Sequence, residues 1–173
     1  SVLKEAGVAV YARIAPCLWF DGQAEEAARL YTSIFPNSRL TAVTRYSEAG
    51  QEYHRRRPGS VMVVEFELDG QRFTALNGGP LFTFSEAISL MIFCETQDEI
   101  DHYWEKLGAD GDPAAQQCGW LKDRFGVSWQ VVPAALDRMM TDSDADRVAR
   151  VTTAMMPMKK LDIAALERAF AGE

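Results

Sequence analysis

An order of elements that runs once and then restarts constrains this chain more than any other feature in it. The segment IAPCLWF, 14–20, alternates as a strand does. DGQAEEAARLYTSIF follows, with Ala24, Ala27, Ala28, Tyr31, Ile34 and Phe35 on one helical face, and Pro36 and Asn37 stop that helix. SRLTAVTRY, SVMVVEFEL and QRFTALN read as three strands, the last two joined by Asp69-Gly70, a strong signal for a tight hairpin. AISLMIFCE, 87–95, then begins the pattern again as a strand. TQDEIDHYWEKLGA continues it as a helix, with Ile100, Tyr103, Trp104 and Leu107 at core spacing. Thr96 and Glu99 form its capping box and Gly108 closes it. QQCGWLKD and VSWQVVP supply further strands.

The restart keeps register. Adding 73 to the numbering carries Pro16 to Ser89, Leu18 to Met91 and Phe20 to Phe93, and it carries Ala27, Tyr31 and Ile34 to Ile100, Trp104 and Leu107. Further on, an offset of 56 carries Gly70 to Gly126, so the first unit is 17 residues longer. The excess falls in YSEAGQEYHRRRPG, 46–59. Internal repetition of this kind predicts two copies of a β-α-β-β-β unit, over 13–78 and 79–133, within one structural domain. Residues 134–173 read as a helical tail. Pro133 opens a short helix running to Met140, Asp142 or Ser143 caps a second over about 144–155, Pro157 breaks it, and Asp162 caps a third carrying Ile163, Leu166 and Phe170. The fold class expected is α+β.

Charge and cysteine usage narrow the function classes. Lys and Arg number 18 against 25 Asp and Glu, so the formal charge is -7 and bulk electrostatics oppose nucleic acid. No apolar run reaches the ~20 residues needed to span a bilayer. Lys4, Glu5 and Arg13 interrupt the first 20 residues, so a secretory leader is not expected. Cys17, Cys94 and Cys118 are isolated and odd in number, which fits neither a zinc site nor a disulfide framework and points to a reducing cytoplasm. Cys17 and Cys94 are expected to be buried in strands with raised thiol pKa, while Cys118 stands beside Gly119 and Trp120.

APCLWFDGQAEEAARLYTSIFPNS, FTALNGGPLFTFSEAISLMIFCETQDEIDHYWEKL and CGWLKDRFGVSWQVVP together resemble the PhnB-like family, usually labelled 3-demethylubiquinone-9 3-methyltransferase. The tail AMMPMKKLDIAALERA resembles the family's end. The resemblance implies the vicinal oxygen chelate superfamily of glyoxalase I, extradiol dioxygenases and bleomycin resistance proteins. It implies paired βαβββ modules, each curving a sheet around a cup, and a homodimer. It also implies that enzymes of this fold hold a divalent metal with residues from the first and last strand of each module. Those positions are Pro16 and Thr74 in the first module, Ser89 and Gln130 in the second. They offer no imidazole and no charge, so no metal and no other cofactor is expected. His102 lies on a solvent face. His54 stands in the inserted loop beside Arg55, Arg56 and Arg57, either solvated or part of a lid whose guanidinium groups clamp an anion.

Methyl transfer, the activity in the family label, finds no cofactor loop here, because NGGP, 77–80, reads as a connector. The residues expected to line a ligand cup are Leu18, Ser89, Met91, Phe93, Trp120 and Gln130, with His54 and Arg56 from the loop. Ser89 and Gln130 are the polar anchors among aromatic and aliphatic neighbours, the usual make-up of a small-molecule site. A cytoplasmic homodimer binding a small, partly apolar ligand without metal is the leading expectation. A metal-dependent lyase, isomerase or dioxygenase of the same superfamily, and a dimeric interaction protein with filled cups, are the alternatives.

Overall fold

A computed structural model describes residues 12–173, so the first half of the segment read against a leader lies outside the described residues. The chain divides into two compact units between Thr83 and Phe84.

The first unit is a βαβββ module. β1 (Cys17–Phe20) leads to α1 (Ala24–Ile34), then come β2 (Arg39–Arg45), the short α2 (Gln51–His54), β3 (Val61–Leu68) and β4 (Gln71–Asn77). The sheet order is β1-β4-β3-β2, with β1 parallel to β4 and the other pairs antiparallel. Asp69 and Gly70 turn β3 into β4 with φ of 47° and 81°, the doubly positive geometry of a two-residue hairpin. Ala24, Ala27, Ala28 and Tyr31 of α1 are fully buried, as are Val64, Phe66 and Ala75 of the sheet. Four small or flat residues on one helix face let α1 lie close against the strands. Asn77 ties the two layers: its Oδ1 accepts from the Ala24 backbone N–H at 2.9 Å and its Nδ2 donates to the Val61 carbonyl at 3.1 Å. A helix whose own N-cap, Gln23, makes no side-chain cap is thus capped from across the sheet.

The second unit has three strands. β5 (Leu90–Cys94) leads to α3 (Gln97–Gly108), and β6 (Trp120–Lys122) and β7 (Ser128–Pro133) follow in the order β5-β7-β6. The β-α-β-β-β expectation is therefore corrected here to β-α-β-β. Where the first unit has β2, this one has a 3-10 turn at Pro113–Ala115 and a lone bridge between Gln117 and Trp120. The segment ADGDPAA, 109–115, is built of turn formers and lacks the β-branched run that makes β2 a strand. The Thr96 side chain caps α3 by accepting from the Glu99 N–H, the first half of a capping box, while the Glu99 carboxylate accepts from the N–H of Glu95, one residue before the cap.

The tail forms α4 (Leu136–Met140), α5 (Ala145–Met155) and α6 (Ile163–Ala171). The α5 cap is Asp144, which accepts from the N–H groups of Asp146 and Arg147, where the sequence suggested Asp142 or Ser143; Asp142 instead accepts from the Asp144 N–H. Val132 of β7 joins Met139, Val151, Leu161 and Leu166 in one buried cluster, so the tail completes this unit's core. Gln97 locks it down, donating to the Leu161 carbonyl and accepting from the Ile163 N–H. No described helix is long and apolar enough to cross a membrane.

Candidate functional site

Each sheet has one face under its helix, and strand parity decides which residues the opposite, more open face carries; in the second unit the tail helices cover that opposite face at Val132. In the second unit Ile92 and Cys94 are buried, while Met91 and Phe93 are 50% and 55% exposed. Met91 lies opposite Gln130, which lies opposite Trp120, so these three share the open face with Phe93. Gln130 donates its amide to the Ser89 hydroxyl at 2.9 Å, closing a polar pair between β7 and the residue just before β5. Ser89, Met91, Phe93, Trp120 and Gln130 thus lie together on one side of the second sheet. Trp129, the neighbour of Gln130, points the other way and is 2% exposed.

A buried carboxylate holds that hairpin, and the sequence reading missed it. Asp123, 2% exposed, accepts from the N–H groups of Phe125 and Val127 at 2.9 and 3.0 Å and from the Trp129 indole at 2.9 Å. A carboxylate at the first position of a turn ending in Gly126 was the available signal, and it marks an Asx turn. The bond to the indole fixes the parity of β7, which sends Trp129 to the core and Gln130 to the open face.

In the first unit one expectation fails. Leu18 is 8% exposed and lies opposite Ala75, which is fully buried, so it belongs to the core under α1 and not to an open cup. The open-face residues of β1 are Cys17 and Trp19. The equivalent of Met91 is therefore Cys17, and the strand offset is 74, although the helix caps Gln23 and Thr96 keep the offset of 73. One residue fewer separates β5 from α3, and a slip of one residue exchanges the faces of a strand. The same slip moves Pro16 out of equivalence with Ser89, whose counterpart is Ala15. Thr74 keeps its equivalence with Gln130 and lies opposite Glu65, whose carboxylate pairs with Arg72 at 2.7 Å. Cys17, expected to be buried, is exposed, yet partial desolvation still raises its thiol pKa. Burial is complete at Cys94, 1% exposed, and pushes its thiol up to about 12.

The inserted loop folds back on the first unit. Tyr46 donates to the Asn77 carbonyl at 2.6 Å, and the His54 ring packs on it with centroids 4.7 Å apart. The His54 Nδ1 accepts from the Arg56 N–H at 2.9 Å. Arg56 donates to the Gly78 carbonyl at 2.7 Å, and Trp19 donates its indole N–H to the Gly79 carbonyl at 2.8 Å. Side chains on either glycine would overlap these partners, Trp19 at Gly78 and Arg56 at Gly79. Read as a connector, NGGP also proves to be a seat for an indole and a guanidinium. His54 and Arg56 therefore border the end of the first sheet, where Arg55, Arg56 and Arg57 join Gly22, Glu25, Tyr46, Ser60, Val61 and Asn77 around a cavity of about 400 Å³.

Residues 12–132 match the family described as 3-demethylubiquinone-9 3-methyltransferase. The chain belongs to that family. Among solved structures, the PhnB protein from Bacillus cereus is 38% identical, with a TM-score of 0.60, over 71% of this chain and 100% of its own. Protein PA1353 from Pseudomonas aeruginosa is 19% identical, with a TM-score of 0.54, over 70% of this chain and 97% of its own, a likeness of fold. No curated protein matches the sequence.

Within this 3-demethylubiquinone-9 3-methyltransferase family the matched segment ends at Val132, so the tail helices are carried beyond it. The metal that the glyoxalase-like resemblance implies can be tested against the donors at its four positions. Corrected for the slip, they are Ala15, Thr74, Ser89 and Gln130: a methyl group, two hydroxyls and an amide. None is anionic, none is an imidazole, and the Gln130 amide is already turned onto Ser89. These residues do not fit a divalent transition metal, which needs donors that offset its charge.

Proposed function

We propose that this chain binds a small, partly apolar molecule on the open face of the second sheet, without a resident metal. The observation that carries this is the 2.9 Å bond between Gln130 and Ser89, beside the exposed side chain of Met91 and on the same sheet face as exposed Phe93. Two neutral side chains hold each other in place there. Between them they keep a hydroxyl hydrogen, an amide hydrogen and an amide oxygen for a ligand's carbonyl or hydroxyl groups. Met91, Phe93 and Trp120 supply apolar area around that pair, the composition of a ligand site rather than of a charged catalytic centre. The homodimer belongs to the same proposal, since a second copy would cover apolar side chains that each unit leaves open. Three free cysteines suit a reducing cytoplasm. Methyl transfer, named by the family label, gains no support from the double glycine: Gly78 and Gly79 make room for Trp19 and Arg56.

A thermal-shift screen of organic acids, quinones and thiol conjugates tests the proposal. A true ligand at 100 times its dissociation constant adds about 2.7 kcal/mol, a rise of roughly 5–10 °C for a chain of this size. That rise should vanish in the Ser89→Ala/Gln130→Ala double variant. Protein purified without chelator should carry no stoichiometric metal, and Gln130→Glu should gain divalent-metal affinity. Near-stoichiometric zinc, nickel, iron or manganese in the wild type would overturn the metal-free proposal, and stabilisation that survives in the double variant would move the ligand elsewhere.

A further inference from the structure

The cavity at the end of the first sheet has a chemical character unlike the rest of this acidic chain. Arg55, Arg56 and Arg57 converge on it, yet among the described residues no carboxylate pairs with any of the three. Arg55 ends α2 in the left-handed region, φ 53°, and this reversal brings consecutive arginines to one cavity where an extended chain would splay them. Arg56 is anchored by its single bond to the Gly78 carbonyl, which leaves its other N–H groups unassigned. The Arg55 and Arg57 side chains make no hydrogen bond with described residues.

The polar groups around them are already committed to the frame. Tyr46 Oη donates to Asn77, Ser60 Oγ donates to the Arg57 carbonyl at 2.6 Å, and both ends of the Asn77 amide are bonded. Glu25, the one carboxylate lining the cavity, is held by Arg29 at 2.7 Å. What remains unsatisfied in the cavity is guanidinium. Gly22 and Glu25 also place the start of the 11-residue α1 on its wall, where the helix dipole adds positive potential.

We infer that this cavity binds the dianionic end of a small metabolite, a phosphate monoester in charge and shape, with Arg55 and Arg57 as its principal ligands and Arg56 as the fixed wall. Three guanidinium groups balance a dianion better than a single carboxylate, and their planar forks suit tetrahedral oxyanions. A volume of about 400 Å³ leaves room for the body of the molecule beyond its charged group. The site lies wholly within the first unit and is independent of the Ser89–Gln130 pair in the second.

Calorimetric titration of the full chain with inorganic phosphate in low-salt buffer is the test, with acetate as the monoanionic comparison. Phosphate should bind at least about tenfold more tightly than acetate, and the Arg55→Ala/Arg57→Ala variant should lose about tenfold or more in phosphate affinity, because charged contacts of this kind each carry that order of effect. The double variant removes no bond of the fold, so its circular dichroism and melting temperature should match the wild type. Ser89→Ala/Gln130→Ala should bind phosphate as the wild type does, which separates this site from the proposed ligand face. Equal phosphate affinity in the wild type and the arginine variant, or acetate binding as tightly as phosphate, or no phosphate binding at millimolar concentration, would overturn the assignment.

Discussion

Asp123→Ala should be among the most damaging single substitutions in the second unit. The wild-type carboxylate is 2% exposed and receives three hydrogen bonds, from Phe125 N, Val127 N and Trp129 Nε1, all at 2.9 to 3.0 Å. Truncation leaves three donors facing a small void. A hydrogen bond to a charged acceptor contributes about 1.5 kcal/mol or more, so the three sum to roughly 4.5 kcal/mol or more. That is a large part of the 5–15 kcal/mol typical of a whole domain. Asp123→Asn separates the contributions. Its one remaining oxygen can still serve the two backbone donors of the turn, but its amide nitrogen then meets the indole N–H, donor against donor. The asparagine variant should therefore fall between the wild type and alanine. Urea denaturation followed by tryptophan fluorescence measures all three proteins, and an altered emission maximum in native Asp123→Asn would report the lost indole bond. A loss below about 1 kcal/mol in Asp123→Ala would refute the account, since it would mean that water or a repacked turn satisfies those donors at little cost.

Gly78→Ala should destabilise the first unit by about 1–3 kcal/mol, the usual cost of forcing an atom into a packed site, and urea titration should show it together with a shift in Trp19 emission. Cys94 should resist iodoacetamide in the native protein at pH 8, while exposed Cys17 reacts slowly, as peptide mapping by mass spectrometry would show. The same Cys94 thiol links stability to pH. Its folded pKa of about 12 lies above the reference value of 9.0, so the folded state keeps the proton that the unfolded state releases; this contribution is intact below pH 9 and is lost as pH rises from 9 to 12. Unfolding free energy should fall across that window, with a shallower slope in Cys94→Ala, and equal slopes would count against burial as the cause.

Much of the architecture was legible because it rests on local rules. Helix faces follow from a period of 3.6, so Ala27, Tyr31, Ile34, Ile100 and Leu107 could be named as core from spacing alone, and all five are buried. Asp69-Gly70 announced its hairpin through a backbone geometry that few residue pairs adopt, and Thr96 with Asp162 marked their caps through side chains that reach only a few atoms. The grouping of Ser89, Met91 and Phe93 on one face followed from the period of two; that Gln130 shares that face is decided by the β5–β7 register. What remained hidden depends on contacts distant in sequence. β1 is CLWF, apolar at every position, so nothing within it distinguishes the core side from the open side; only its pairing with β4 puts Leu18 inside and Trp19 outside. The missing strand of the second unit is an absence that two matching helices could not reveal. Asp123 is buried by its bond to Trp129, six residues on, a contact that its own residue type, one of 25 Asp and Glu, does not announce. Three consecutive arginines read equally well as a solvated run. Their convergence is decided by a left-handed turn at Arg55 and by Gly79, more than 20 residues away, which leaves space for Arg56. Local sequence determines where chain elements start, stop and turn a face, because those preferences act over a few bonds. Which face meets which neighbour, and which charges end up together, is settled only when the whole core packs.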